Sequence, residues 1–212
     1  LTAEEGRIES GHATIADTAR HAESPVNAHD GHAHAARPTI RHATLADAPA
    51  LAALAARTFR DTFGADNTPE DMALHLAASY GPERQANEIA NPALITLVAD
   101  HAGVLVAYAQ LRRGEPPACV TGPAPIEIQR FYVAADWHGR GLAQLLMAQA
   151  LDVARAAGRA TIWLGVWERN PRAIAFYGKL GYRDVGQQTF LLGTDRQTDR
   201  ILTKSLDSDG AA

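Results

Sequence analysis

The stretch from Glu127 to Tyr182 constrains this chain more than any other. Ile126 to Val133 is rich in β-branched and aromatic residues and reads as a strand. Trp137-His138-Gly139-Arg140-Gly141-Leu142-Ala143 breaks that pattern. Leu142 to Ala157 then sets Leu142, Leu145, Leu146, Ala150, Val153 and Ala154 on one helical stripe. Gly158 can close that helix in a left-handed conformation. Thr161 to Val166 reads as a second strand, and Asn170-Pro171 starts a last helix that ends at Gly181. Strands alternating with helices in this way predict a mixed α/β domain.

The glycine-rich turn suggests a chemistry. The first turn of a helix carries unpaired backbone N–H groups and a partial positive charge. Gly139 and Gly141 remove side chains that would hold a phosphate away, Arg140 adds a positive charge, and Ala143 is small. A nicotinamide-type Gly-x-Gly-x-x-Gly turn is excluded, because Gln144 stands at the third glycine and Thr161 stands where the distal acid belongs. Asn170 and Tyr177, two helical turns apart on one face, can approach the same ligand from the next strand. Together these residues suggest a coenzyme A site and acyl transfer. A tight structural turn, a helix-capping Asn and a core Tyr are the plainer readings of the same residues.

The rest of the chain fits around this stretch. Residues 1–37 hold five of the nine histidines and almost no large apolar side chains, so a disordered tail is expected there. His29, His32 and His34 have a spacing that can chelate metal, although a solvated tail explains them as well. The domain is expected over 38–206, with 207–212 a disordered end. Thr39 to Ala43 reads as a strand, and Asp47 as the cap of a helix to about Thr58, with Leu51 and Leu54 inward. Thr68-Pro69-Glu70-Asp71 starts another helix, which Gly81-Pro82 stops. A further turn or two reaches Ile89. Leu94 to Ala99 and Val104 to Leu111 flank a hairpin turn, Asp100-His101-Ala102-Gly103. Tyr182 to Leu192, broken at Gly186, and Arg200 to Lys204 close the sheet.

Composition narrows the function. A net charge of -4 disfavours nucleic acid as the main partner. No apolar run is long enough for a membrane span, and the first residues do not read as a signal peptide. The single cysteine, Cys119, fits a reducing cytoplasm, and its Pro-rich loop offers nothing to activate it as a nucleophile.

The order of elements from Pro38 to Leu206 resembles the GCN5-related N-acetyltransferases. His138-Gly139-Arg140-Gly141-Leu142-Ala143 matches the family's phosphate-binding signature except at His138, where the family has Gln or Arg. The resemblance implies a central, mixed, mostly antiparallel twisted sheet of about seven strands flanked by about four helices. It implies acetyl-CoA as co-substrate, no metal, and main-chain bonds from Phe131 and Val133 to the pantetheine arm. By the same resemblance Asn170 contacts the cofactor, a strand N–H near Phe131 holds the oxyanion, and Tyr177 protonates the leaving sulfur.

Five segments narrow the resemblance to the PaiA-type polyamine N-acetyltransferases: Thr58 to Gly64, Asn67 to Asp71, Gln129 to Val133, Leu164 to Asn170 and Gly193 to Asp199. They imply spermidine or spermine as acceptor. The amine must lose a proton before it attacks, because an aliphatic ammonium has a pKa of about 10. Glu127, spaced from His138 like the base of histone-acetylating relatives, is the first candidate to take that proton. Asp61, Glu168 and water compete with it. Remote ammonium groups need an acidic groove, for which Asp61 and Glu70, and behind them Asp71, Glu83 and Glu88, are available. A homodimer is left open. So are acetylation of an aminoglycoside, an amino acid or a protein N-terminus, and a non-catalytic acyl-CoA-binding regulator.

Overall fold

The computed structural model describes residues 37–206. The expected tail, its histidine spacing and the last six positions, 207–212, lie outside the described residues. The elements run β1 (Thr39–His42), α1 (Ala48–Phe63), α2 (Pro69–Ser79), α3 (Pro82–Ala90), β2 (Leu94–His101), β3 (Val104–Arg112) and β4 (Pro125–Val133). They continue with α4 (Leu142–Ala156), β5 (Thr161–Trp167), α5 (Pro171–Lys179), β6 (Arg183–Leu192) and β7 (Asp195–Ser205). The strands form one sheet in the order β1-β2-β3-β4-β5-β7-β6. Every neighbouring pair is antiparallel except β4 with β5. The expected seven-strand mixed sheet is therefore present. The helices number five among the described residues, because the turn or two expected after Gly81-Pro82 is a full helix, α3.

Side-chain alternation divides the sheet into two faces. Ile126, Ile128, Phe131 and Val133 of β4 and Ile162, Leu164 and Val166 of β5 pack with α4 and α5. Tyr108, Tyr132, Trp167 and Phe190 face the other way, against Leu51, Phe59 and Phe63 of α1 and Met72 of α2. The second cluster explains why α1 runs five residues past the expected Thr58. Phe59 and Phe63 lie one turn apart and are fully buried, and truncating either to Ala would cost about 3–5 kcal/mol. That burial outweighs the weak helix preference of Thr58 and Thr62, whose hydroxyls bond back to carbonyls one turn earlier.

Three further expectations are corrected. Asp47 precedes α1 but does not cap it with its side chain. Its carboxylate instead accepts from Thr44 N–H at 2.7 Å and forms a two-bonded pair with Arg41 at 2.7 and 2.8 Å. Leu145 is exposed, and Met147 takes the inward place on α4. β7 starts at Asp195 rather than Arg200, because Gly193, at φ 59, closes a two-residue turn that pairs Leu192 with Asp195. The first hairpin turns as expected: Ala102 and Gly103 have φ of 52 and 83.

One irregularity builds the site. β4 and β5 pair only through Pro125–Thr161, Ile126–Ile162 and Glu127–Trp163, and beyond Glu127 they share no ladder. A bulge where β3 meets β4 falls at the same level, between Gln110 and Leu111. Bulges re-aim a strand, and this one carries the far half of β4 away from β5.

Candidate active site

The gap between β4 and β5 has polar walls. Ala134 N–H donates to the Val106 carbonyl at 2.8 Å. The antiparallel alternation then turns the backbone groups of Val133 and Phe131 away from β3 and toward the gap. His138 agrees with this: its Nε2 lies 2.8 Å from the Val133 carbonyl. A carbonyl only accepts, so Nε2 carries the hydrogen. Nδ1 of the same ring is buried without a hydrogen-bond partner.

The glycine turn stands at the end of this gap. Gly139 and Gly141 adopt φ of 72 and 79, in the left-handed region that favours glycine. Gly141 is the residue before α4, and the first bond of that helix runs from Leu145 N–H to the Gly141 carbonyl. The N–H groups of Leu142, Ala143 and Gln144 thus have no partner within the helix. A pocket of about 120 Å³ lies against them, bounded also by Val133, His138 and Phe176. Arg140 folds over the Trp137 ring, 5.4 Å from its centroid. These residues fit a pyrophosphate: free N–H donors, a helix N-terminus, no Cβ at either glycine and a guanidinium beside them.

Tyr177 and Glu127 do not line that pocket; Glu127 borders a separate hollow of about 190 Å³ with Arg112, Arg113, Glu115 and Trp163. Tyr177, on α5, is fully buried in the cluster that faces α4, and its hydroxyl has no hydrogen-bond partner. Burial and then Tyr182 hold that phenol well above its usual pKa, so it keeps its proton. Asn170 Oδ1 caps α5 by accepting from Ala173 N–H at 3.0 Å, which leaves its Nδ2 for other partners. Glu127 lies at the last β4–β5 pair. Its neighbours Ile126 and Ile128 point toward α4, so Glu127 points to the opposite face. It is buried, accepts from Arg112 Nε at 2.6 Å through Oε2, and has no partner at Oε1. Burial raises its pKa, and the charge and hydrogen bond of Arg112 work against that rise.

The acids of the early helices do not converge. Asp61 and Glu70 are exposed, on α1 and in the first turn of α2, as is Glu83. Glu88 is tied beneath α3 to Arg130 at 2.6 Å and Gln110 at 3.2 Å. Burial pushes Glu88 up, but the nearby Arg130 leaves it below the usual carboxylate range. Asp71 accepts from Thr194 N–H at 2.6 Å and Thr194 Oγ1 at 2.9 Å, clasping α2 to the β6–β7 turn. A pocket that sequence reasoning missed lies beside Trp167, where Asp66, Glu168 and Asp195 meet Arg169 and Arg196. These come from the α1–α2 loop, the β5–α5 loop and the start of β7, and no local pattern links them. Arg112 was also missed, because its pairing with Glu127 depends on a register set across a long loop. Among the described residues no group of side chains has metal-binding geometry, and no helix is long and apolar enough to cross a membrane.

A parted parallel strand pair with a glycine-formed helix start beside it is an arrangement that fits a nucleotide-tailed thioester. Residues 54–182 match the family model described as acetyltransferase (GNAT) family. An uncharacterised N-acetyltransferase of Lactobacillus delbrueckii subsp. lactis is 36% identical over 160 residues, covering 76% of this chain and 92% of that protein. The N-alpha-acetyltransferase RimI of Mycobacterium tuberculosis is 31% identical over 149 residues, 70% of this chain and 80% of its own. Among solved structures, the PaiA N-acetyltransferase of Thermoplasma acidophilum in complex with coenzyme A superposes with a TM-score of 0.67 at 20% identity, covering 79% of this chain and 98% of that one. The chain belongs to the GNAT acetyltransferase family, and it is an acetyl-CoA-dependent N-acetyltransferase.

Proposed function

We propose that this enzyme acetylates a small cationic amine, a polyamine such as spermidine or spermine, with residues 38–206 as the catalytic domain. The observation that carries the reading is the clasp of Asp71 on Thr194, reinforced by Gln197 Nε2 bonding Asn67 Oδ1. These bonds join two of the segments that resemble polyamine acetyltransferases, Asn67 to Asp71 and Gly193 to Asp199, and in this reading the joined segments line the acceptor side. In this reading Asp66, Glu168 and Asp195, which outnumber Arg169 and Arg196 in the pocket there, receive the remote ammonium groups, and the exposed Asp61 and Glu70 add negative charge only at longer range. The single cysteine favours a cytoplasmic enzyme.

Acetyl-CoA supplies an acetyl group already activated as a thioester. In this reading His138 to Ala143 hold its pyrophosphate, and Phe131 and Val133 hold the pantetheine arm through main-chain groups. Asn170 adds a contact through its amide. Glu127 takes the proton of the acceptor ammonium. The Phe131 N–H, turned into the gap, stabilises the carbonyl oxygen as charge develops on it. Tyr177 gives its proton to the leaving sulfur. Base and acid then act from opposite faces of one sheet, and neither can neutralise the other directly.

A second reading, acetylation of a peptide α-amine, is favoured by the 31% identity to RimI. A panel of spermidine, spermine, an aminoglycoside, free amino acids and an alanine-terminated peptide separates the two by product mass. Acetylated spermidine or spermine is the expected product. A panel in which only the peptide gains an acetyl group rejects the polyamine reading.

A further inference from the structure

Asp199 is a fully buried carboxyl to which the reaction above gives no task. β7 pairs with β5 through Trp167–Asp199 and Gly165–Ile201. Asp199 therefore shares the sheet face of Trp163, Gly165 and Trp167, the face that also carries Glu127. Its side chain leans back over Gly165. A Cβ at that glycine would stand 3.0 Å from Asp199 Oδ2 and 2.9 Å from Gln188 Nε2. Gly165 lies past the last β4–β5 pair, so the carboxylate and the amide stand over a part of β5 that β4 does not pair.

We propose that Asp199 is an acceptor-binding residue, whose carboxylate receives the ammonium of the amine beside Gly165 while Gln188 orients it. This rests on the amine-acetylating reading above and assigns the group that selects a cationic acceptor. Burial pushes the Asp199 carboxyl up to about 8, the Gln188 amide opposes that rise, and the charge of Glu168, from the β5–α5 turn, adds to it. Arg200, next in the chain, faces the α5 side and pairs there with Asp184 at 2.8 and 2.9 Å. At neutral pH the free site thus holds a protonated carboxyl. An arriving ammonium stabilises the carboxylate, and the displaced proton leaves to solvent. The ammonium keeps its own proton until Glu127 takes it. A neutral acceptor gains nothing from this exchange, whereas a cationic one forms a charge-assisted hydrogen bond to a carboxyl buried from bulk solvent.

The test is calorimetric titration of spermidine into the enzyme with coenzyme A present, at pH 7, in two buffers of different ionisation enthalpy. The wild type is expected to release about one proton per spermidine bound, and to bind more tightly as pH rises toward 8. Asp199→Asn is expected to release none and to bind spermidine about tenfold or more weakly, with coenzyme A affinity unchanged. Equal affinity and equal proton release in the two proteins would overturn the proposal. Should Asp199→Asn lose its cooperative melt, Gly165→Ala decides. It keeps every charge but presses a methyl against Oδ2, so the same loss is expected, and unchanged binding overturns the proposal. If the wild type binds a different amine of the panel, the polyamine reading fails. Asp199 then stands or falls by the proton count measured with that amine.

Discussion

Glu127 and Tyr177 belong to opposite faces of the central sheet, and Glu127 sits in the last pair before β4 and β5 part. Glu127 points toward the layer of α1 to α3, and Tyr177 lies in the cluster under α4. In the proposed reaction an amine arriving from one side would meet Glu127 and a sulfur leaving toward the other would meet Tyr177. The two groups also differ in what holds them. Glu127 is fixed by Arg112 at 2.6 Å, whereas the Tyr177 hydroxyl has no hydrogen-bond partner within the protein.

That difference sets the outcome for Tyr177→Phe. Removing a buried hydroxyl that bonds nothing forfeits no hydrogen bond, so the melting temperature should hold or rise. With its proton donor gone, kcat should fall about 100-fold. Steady-state kinetics beside a thermal melt measure both. An unchanged kcat would remove Tyr177 from the proton-transfer step.

Arg112 should tune Glu127. Its guanidinium favours the carboxylate and works against the rise that burial imposes. Arg112→Met should therefore move the acidic limb of the kcat/KM profile to higher pH, since Glu127 must be ionised to act. A limb that stays in place would mean that another group is the base.

Gly141 should matter through its backbone. At φ 79 there is open space for a methyl group, but an L side chain in this region costs about 1–2 kcal/mol. Gly141→Ala should raise the KM for acetyl-CoA about tenfold by re-aiming the N–H groups of α4, and leave the KM for the amine unchanged. Equal changes in both KM values would count against a pyrophosphate cradle.

His75 should make the fold acid-sensitive. It stacks on Phe59 with centroids 4.3 Å apart. Burial first, and then the charges of Arg130 and Arg84, lower its pKa to about 4. The unfolded chain takes up this proton near pH 6.5 and the folded chain only near 4, so stability is lost as pH falls through that window. His75→Phe should flatten the fall of the melting temperature between pH 6.5 and pH 4, and equal slopes would exclude His75 as the cause.

Asp47→Ala tests a contact that sequence alone misread. The carboxylate closes the Thr44 turn and holds Arg41, so its loss should cost about 1–2 kcal/mol in a denaturant melt. Arg41, followed by the hydrogen bonds of Thr44, holds Asp47 well below the usual carboxylate range. This contribution should be present above about pH 4 and fade as pH falls further.

Local patterns carried much of this structure. Thr68 and Asn170 cap their helices through the side chains expected, accepting from Asp71 and Ala173. Gly158 and Gly181 close helices with positive φ. These signals depend on a few neighbouring residues, so they survive in sequence. The full length of α1 did not, because Phe59 and Phe63 are held by Tyr132 and Trp167 from distant strands. The turn at Gly139 and Gly141 was legible because it is continuous in the chain. The contacts of Arg112, Asp71, Gln188 and Asp199 were not, because they form only when β3, β6 and β7 find their registers.

The measurement that bears most directly on this account is thiol release from acetyl-CoA by the purified enzyme, with and without spermidine. The expected result is release that depends on spermidine and yields a singly acetylated product. Release that ignores spermidine but responds to another amine, or no release while acetyl-CoA still raises the melting temperature, would contradict the polyamine assignment.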